Sequence, residues 1–573
     1  MATADQQDEA SAPAATASPE GAAPASQPSA ANVFEMPALV ERIASSLSPN
    51  EVACTLRLVC KSTAAALDTA AHTTVRLSQS SPHASFVHRW GRPGAMRGLS
   101  LPQRQELLRL TARSGSLANL ECTLRCCGLR PSESIIAAAA NAGQLAACKL
   151  LRRLGCPIQK EDVAVAAAAG GSQEVCHWVL NISGILKPYQ STNPNRRTLI
   201  LDMVATAARR GHVDLLAWLL WHGFIDAPPH LQYNSPRTAV LAGAAWGCDL
   251  AFLQQLHNAW VSEPITYPNL EQDPTLVGMP ALVDDYDDEI IASAAGSPTP
   301  DWAAKVAWLQ DVGYAAPSRA CELAAARPDA AERLRWLLDE RGFALASWHP
   351  LEAAAVAGNL PAMELMLQPE RRLNVSGLVV NRIAAEGQLG VLQLLHARGC
   401  KFDVLMALEE AAARGHLPVV EWLAGLLPAT AAAWPAAVAV VAAATDDGGG
   451  GGGGLNLEAA DAVDAVDPLR RLLATDPWVF AAAAGSGSRV LMEWLLAKGC
   501  VWSEAAFVRA AGKGSEGQLQ WMVASGCPMG SHGEAYLVAD QNGNLAALEC
   551  LQRLGCPEPP SASSSAAADG QRR

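Results

Sequence analysis

The side chains best suited to chemistry in this chain are its thiols and imidazoles, fifteen cysteines and twelve histidines. Cys122, Cys126 and Cys127 crowd into one short stretch. Thiolates are zinc ligands, but a zinc site needs converging ligands at spacings such as C-x2-C, and no histidine stands near these three. Cys156, Cys400, Cys500, Cys527 and Cys556 each follow a glycine and lie about a whole repeat or more apart. They read as small buried hydrophobes rather than a metal cage. Their odd total and recurrent placement point away from a disulfide framework, toward a reducing compartment, cytoplasmic and/or nuclear. No Ser/His/Asp set, H-E-x-x-H, P-loop or paired-carboxylate motif is present. The run Gly448–Gly454 has no following Lys-Ser/Thr to make it a phosphate cradle. The expectation is a protein that is not an enzyme, with no cofactor and no metal.

Charge and hydropathy narrow the partners. The 573 residues carry 43 Lys+Arg against 56 Asp+Glu, a net charge of -13. No Lys/Arg cluster stands out along the chain, which predicts no nucleic-acid partner. The longest apolar run, Ala431 to Ala444, contains Pro435 and is too short to span a bilayer, which predicts no membrane partner. The first residues have neither the basic nor the apolar stretch of a secretory signal.

What must position these side chains is a repeat. GQLAACKLLRRLGC (Gly143 to Cys156), GHVDLLAWLLWHGF (Gly211 to Phe224), GQLGVLQLLHARGC (Gly387 to Cys400) and GNLAALECLQRLGC (Gly543 to Cys556) share two glycines and the same apolar spacing. Leading glycines recur at Gly115, Gly143, Gly171, Gly211, Gly247, Gly296, Gly358, Gly387, Gly415, Gly485, Gly514 and Gly543. Before them lie small pairs such as Ala139/Ala140 and Ala481/Ala482, and before those a larger apolar residue such as Ile136 or Trp478. A degenerate unit fits around Arg327, and another is split between Ala442 and Thr475. The total is roughly fourteen units. Each reads as two helices, the first thin with alanine, each stopped by a glycine. His212, Asn359, His416 and Asn544 then open the second helix near its N-cap. One unit cannot bury its stripe, so the units must stack into an all-α solenoid. Trp178, Trp218, Trp422 and Trp521 share one register on the second helices and read as core residues.

These units resemble ankyrin repeats, whose second half reads G-H-x-x-V-V-x-x-L-L-x-x-G-A. GHLPVVEWL (Gly415 to Leu423) is nearly that pattern. The resemblance runs from about Leu107 to Cys556. The unit is about five residues shorter than the usual 33, so short loops are expected where ankyrin repeats carry hairpin fingers. The resemblance implies a protein target bound on the face of the first helices and loops. The acidic stretch Asp284–Glu289, inside the insertion Val261–Glu289, is a further candidate for contact with a basic partner.

Ahead of the array, Val33 to Leu67 carries Leu39, Val40, Ile43 and Leu47 at helical spacing. Ser48-Pro49-Asn50-Glu51 then starts a second helix with Val52, Leu56 and Val59 inward. This segment resembles an F-box, the motif that docks on the Skp1 adaptor of cullin-RING ubiquitin ligases. Met36-Pro37 matches its first pair and Leu56 to Lys61 its end, while Thr63 stands where the family carries tryptophan. The resemblance implies a Skp1-like partner docked through Pro37, Leu39, Val40, Ile43, Leu47, Val52, Leu56, Val59 and Cys60. The chain thus divides into a disordered tail 1–31, an F-box-like motif 32–68 and a connector 69–105. The ankyrin-like array spans 106–556, with insertions near 181–200, 261–289 and 446–456, before a tail 557–573. The expected role is a substrate-recruiting adaptor of a Skp1/cullin-type ligase. The alternative is a scaffold or inhibitor whose N-terminal helices only cap the solenoid.

Overall fold

The computed structural model describes residues 33–182, 194–221, 236–261, 287–368, 377–427 and 477–559. The tail 1–31, the run Gly448–Gly454, nearly all of the tail 557–573 and most of each insertion lie outside them, including Asp284, Asp285 and Tyr286 of the acidic stretch. The chain falls into two compact units, one ending at Arg76 and one beginning at Leu77. Among the described residues every regular element is helical.

The first unit comprises α1 (Pro37–Ala44), α2 (Pro49–Cys54), a 3-10 turn (Leu56–Leu58), α3 (Lys61–Ala66) and α4 (Ala70–Thr73). Val40, Ala44, Val52, Leu56 and Leu67 form a core of its own.

The second unit opens with α5 (His83–Trp90), which packs on α7, and continues as thirteen helix pairs among the described residues. In chain order these are α6 (Leu101–Arg113) with α7 (Leu117–Cys126), α8 (Glu133–Asn141) with α9 (Leu145–Arg153), and α10 (Lys160–Ala169) with α11 (Gln173–Ile182). Next come α12 (Pro194–Arg209) with α13 (Val213–Trp221), α14 (Pro236–Gly247) with α15 (Leu250–Val261), and α16 (Asp287–Ala295) with α17 (Trp302–Val312). Then α18 (Ser318–Ala325) pairs with α19 (Ala330–Arg335), α20 (His349–Val356) with α21 (Leu360–Met366), and α22 (Gly377–Ala385) with α23 (Leu389–Ala397). The last are α24 (Val404–Arg414) with α25 (Leu417–Gly425), α26 (Pro477–Ser486) with α27 (Arg489–Ala497), α28 (Glu504–Lys513) with α29 (Glu516–Ala524), and α30 (Glu534–Gln541) with α31 (Leu545–Leu554).

Successive first helices pack side by side. Ala139, Ala140, Ala207, Ala208, Ala354, Ala355, Ala411 and Ala412 are all fully buried in that row, since a methyl is the largest side chain such close axes admit. The degenerate unit around Arg327 is a real pair, α18 with α19. The split unit between Ala442 and Thr475 lies outside the described residues. Helix α24 packs directly on α26, as successive first helices do elsewhere. The register at α26 also differs from the sequence reading. The left-handed turn residue is Gly487 (φ 81°) and not Gly485. The core position therefore falls on buried Phe480, while Trp478 is 54% exposed.

The junction between pairs has a recurring bond. The last carbonyls of a helix have no partner within it. At eight junctions a side-chain N–H from one pair reaches the end of the preceding pair's first helix. His212 Nε2 sits 3.0 Å from the Ala169 carbonyl, Gln388 Nε2 3.3 Å from Val356 O, and His416 Nε2 2.8 Å from Ala385 O. Asn359 Nδ2 donates to Arg327 O at 2.9 Å, Gln518 Nε2 to Ala484 O at 2.7 Å and Asn544 Nδ2 to Ala511 O at 3.1 Å. Asn359 and Asn544 also cap their own second helices, accepting from Ala362 N and Ala547 N. Where this turn residue is missing, a buried cation from the second helix substitutes. Lys305 Nζ donates to Ala245 O at 3.1 Å, and Arg333 Nη1 to Ala295 O at 2.8 Å. A helix C-terminus carries partial negative charge, which favours both.

The two ends of the array meet. Arg104, buried on α6, donates to Cys127 O at 2.8 Å and to Asn544 Oδ1 at 2.6 Å. Arg130 N donates to Gly543 O at 3.1 Å, Ala546 N to Gly128 O at 3.0 Å, and Gly517 N to Arg97 O at 2.9 Å. The connector expected at 69–105 thus divides between the units. Asn50 makes two 2.8 Å bonds to the Arg76 backbone, whereas α5 and Arg97 belong with the array.

Two substitutions test this framework. Gly387 has φ 73°, and an added Cβ would lie 2.6 Å from His416 Nδ1. Gly387→Ala is expected to lower stability by about 1–2 kcal/mol from the backbone alone, read from chemical unfolding. Arg104→Met removes the guanidinium's bonds to Cys127 and Asn544, and hydrogen exchange is expected to rise at both α6 and α31. The loss is on the order of 2–3 kcal/mol for a charged, buried donor.

Candidate docking site

The docking residues inferred from sequence separate into two sets. Met36 is the N-cap of α1 and Pro37 its first residue, where the missing N–H costs nothing. Val40 and Ala44 face inward from this helix, while Leu39 is 37% exposed and Ile43 is half-buried against the core. Leu47 is exposed just beyond it.

Helix α2 begins in a reciprocal cap. Glu51 N donates to Ser48 Oγ at 3.3 Å, and Ser48 N donates to Glu51 Oε2 at 2.9 Å. These bonds hold the Glu51 carboxyl below its ordinary pKa. Val52 and Leu56 are buried as expected. Val59 is not. The spacing of Val52, Leu56 and Val59 predicts one inward stripe on a continuous helix, but the chain leaves helical geometry at Thr55 (φ -131°, ψ -63°). The 3-10 turn that follows changes the phase. Leu58 is 76% and Val59 50% exposed as a result. Leu58 was missed by the sequence reading, because only that break in phase turns it outward.

Cys60 is exposed at the N-cap of α3. Thr63 is fully buried, its Oγ1 accepting from Cys60 N at 3.2 Å and donating to Cys60 O at 2.8 Å. Thr63 is thus a small residue that satisfies the turn. The arrangement leaves Met36, Leu39, Leu47, Leu58 and Val59 as exposed apolar side chains around a separate small core.

In the array, the register cysteines act as a structural bond. Cys156 Sγ lies 3.2 Å from Ser132 O, Cys527 Sγ 3.7 Å from Ser503 O, and Cys556 Sγ 3.9 Å from Met529 O. Each thiol reaches back to the loop that opens its own pair. The register tryptophans are less buried than the core reading expects. Trp178, Trp218, Trp422 and Trp521 are half-buried. Trp218 lies edge-on to His177, Trp422 to His396 and Trp521 to Trp502. Trp218 and Trp422 thereby meet the second helix of the preceding pair, and Trp521 meets it through Arg489. Among the described residues no group of three His, Cys, Asp or Glu is placed to hold a metal ion. None of their helices is long and apolar enough to cross a membrane.

Sequence reasoning also missed three buried cations. Arg104, Lys305 and Arg333 each have polar partners for the charge. Burial lowers the Lys305 pKa, against the opposing pull of Asp301. The Arg333 guanidinium also lies over the Trp302 ring, 4.4 Å from its centroid. Ordinary sequence patterns give no warning of a core lysine, since only the carbonyl it meets makes the position tolerable.

No family model matches this chain, and no curated protein matches it. Solved structures do. One is the pentatricopeptide repeat protein PPR10 in complex with an 18-nt psaJ RNA element, at 11% identity and TM-score 0.20, covering 92% of this chain and 91% of that one. A variant of the same protein with cysteine-to-serine changes, in complex with the same RNA element, matches with the same values. Both are RNA complexes, and the expectation that nucleic acid is excluded as a partner is withdrawn. Net charge and linear Lys/Arg runs were too coarse to support it, because folding gathers arginines that the sequence keeps apart. At this TM-score the likeness assigns no ligand to this chain.

Thiol chemistry checks the placement of the cysteines. Burial raises Cys148, Cys176 and Cys527 to about 12, and Cys156 and Cys248 to about 11. Cys60 is exposed, and its bonds with Thr63 pull its thiol below the ordinary value. Iodoacetamide at neutral pH is therefore expected to label Cys60 first in peptide mapping by mass spectrometry, because the thiolate is the reactive form. The five raised thiols are expected to react only in denaturant.

Proposed function

We propose that this helical-repeat chain is a non-enzymatic adaptor. Its first unit docks a Skp1-like subunit of a cullin-type ubiquitin ligase, and its ankyrin-like array holds a protein substrate. The observation that carries the reading is the outward apolar set of the first unit: Met36, Leu39, Leu47, Leu58 and Val59. A unit this small buries only five apolar residues in its core. Leaving as many exposed is unfavourable unless a partner covers them. The inward set, Val40, Val52 and Leu56, holds the unit together. Pro37, Leu39, Leu47, Val59 and Cys60 are the members of the inferred docking set left free to touch a partner, with Ile43 at the edge. The role is one of proximity, since tethering a substrate beside a ligase raises its effective concentration with no reaction at this chain.

The alternative, a scaffold whose first unit merely caps the array, is weakened by a feature of the array. Its first pair is already covered from within, by α5 on α7 and by the closing contacts to α29 and α31.

Capture by immobilised Skp1 tests the proposal. The full chain is expected to bind, and Leu39→Asp with Val59→Asp to reduce capture by about tenfold or more, the effect of losing central apolar anchors. Both positions are exposed, so the circular dichroism of the variant should match the parent. Failure of the parent chain to bind Skp1 overturns the ligase link and leaves the scaffold reading.

A further inference from the structure

We propose that the closing seam of the array holds a binding site for a compact phosphate-bearing anion. A cavity of about 250 Å³ lies where the segment before α6 meets the end of α7 and the start of α29. Arg92, Arg97 and Arg125 line it together with a single carboxylate, Glu516. That carboxylate is already engaged. Arg97 Nε lies 3.7 Å from Glu516 Oε2, and Arg553 pairs with the same oxygen. Among the described residues no carboxylate pairs with Arg92 or Arg125; the latter's one bond is a long one, Nε to the Glu121 carbonyl at 3.4 Å.

Three guanidinium groups around one shared carboxylate leave positive charge uncompensated, in a chain whose net charge is -13. Like charges held together repel, and a bound anion relieves that repulsion. Guanidinium is planar and presents paired N–H donors that match phosphate oxygens. The floor is built from small residues, Pro93, Gly94 and Ala95. Gly94 has φ 77°, and the Arg97 side chain folds back over it, 3.1 Å from where a Cβ would sit. A bulkier residue there would displace an arginine from the cavity. The size of the space suits one or two phosphate groups and not a folded domain.

The site exists only in the closed array. Arg92, Arg97 and Arg125 come from its beginning, while Glu516 comes from its penultimate pair and Arg553 from its last helix. Gly517 N, bonded to Arg97 O at 2.9 Å, fixes the two walls. An anion seated here binds the closed state alone, so it stabilises that state as its concentration rises.

Calorimetric titration of the full chain with inorganic pyrophosphate tests this. Saturable binding at a single site is expected, weakening as ionic strength rises. Arg92→Gln with Arg125→Gln is expected to weaken it by about tenfold or more, since charge-assisted phosphate contacts are lost. Both side chains are exposed, so the variant should fold, with an unfolding midpoint in the absence of pyrophosphate no lower than the parent's. Arg109→Gln, which disrupts only the surface pair with Glu106, should bind as the parent does. The proposal is overturned if the parent chain shows no saturable binding. Equal binding by the double variant overturns it too, as diffuse ion association.

Discussion

The array depends on one recurring bond, seen at eight of its junctions, a side-chain N–H of one pair donated to the end of the preceding first helix. Helix ends leave carbonyls that must find donors, and a stack of short helices has many such ends near its interior. Supplying the donor from the next pair satisfies the carbonyl and sets the spacing between neighbours in one contact. It also explains the glycines. Gly387 must take a left-handed turn and leave room for His416 of the next pair. The chemistry of the donor varies through imidazole, carboxamide, ammonium and guanidinium, while the acceptor position stays constant.

Closure extends the same logic. Asn544 donates to Ala511 and accepts from Arg104, so the last junction in the row is bonded to the first pair. An open solenoid needs special end units to shield its terminal faces. Here the first pair and the last pairs shield one another in part. The seam also brings Arg92, Arg97 and Arg125 around one cavity with Glu516. Charge that is dispersed along the chain becomes local there.

The first unit follows a different plan. Two reciprocal caps, Ser48 with Glu51 and Cys60 with Thr63, fix short helices around a core of five residues. Short helices are marginal alone, so capping and the Asn50–Arg76 bonds carry much of their order. The break at Thr55 turns Leu58 and Val59 outward and adds them to the unit's exposed apolar set.

Periodicity alone was enough to read the helix pairs and their alanine seams, because each is enforced locally by sterics and by a stripe that must be buried; of the leading glycines, Gly247, Gly296, Gly485 and Gly514 do not take the left-handed turn expected of them. Register failed where local signals compete, as at Gly485 against Gly487, since both glycines can end a helix and only packing of Phe480 decides between them. The same holds for Val59, whose spacing suits a helix that the backbone at Thr55 abandons. The half-buried tryptophan rings, the buried Lys305 and Arg333, and the meeting of Arg104 with Asn544 were beyond sequence. Each depends on which carbonyl or ring a distant segment presents. Pairing across such separations is fixed by the summed geometry of the stack, and no local pattern encodes it.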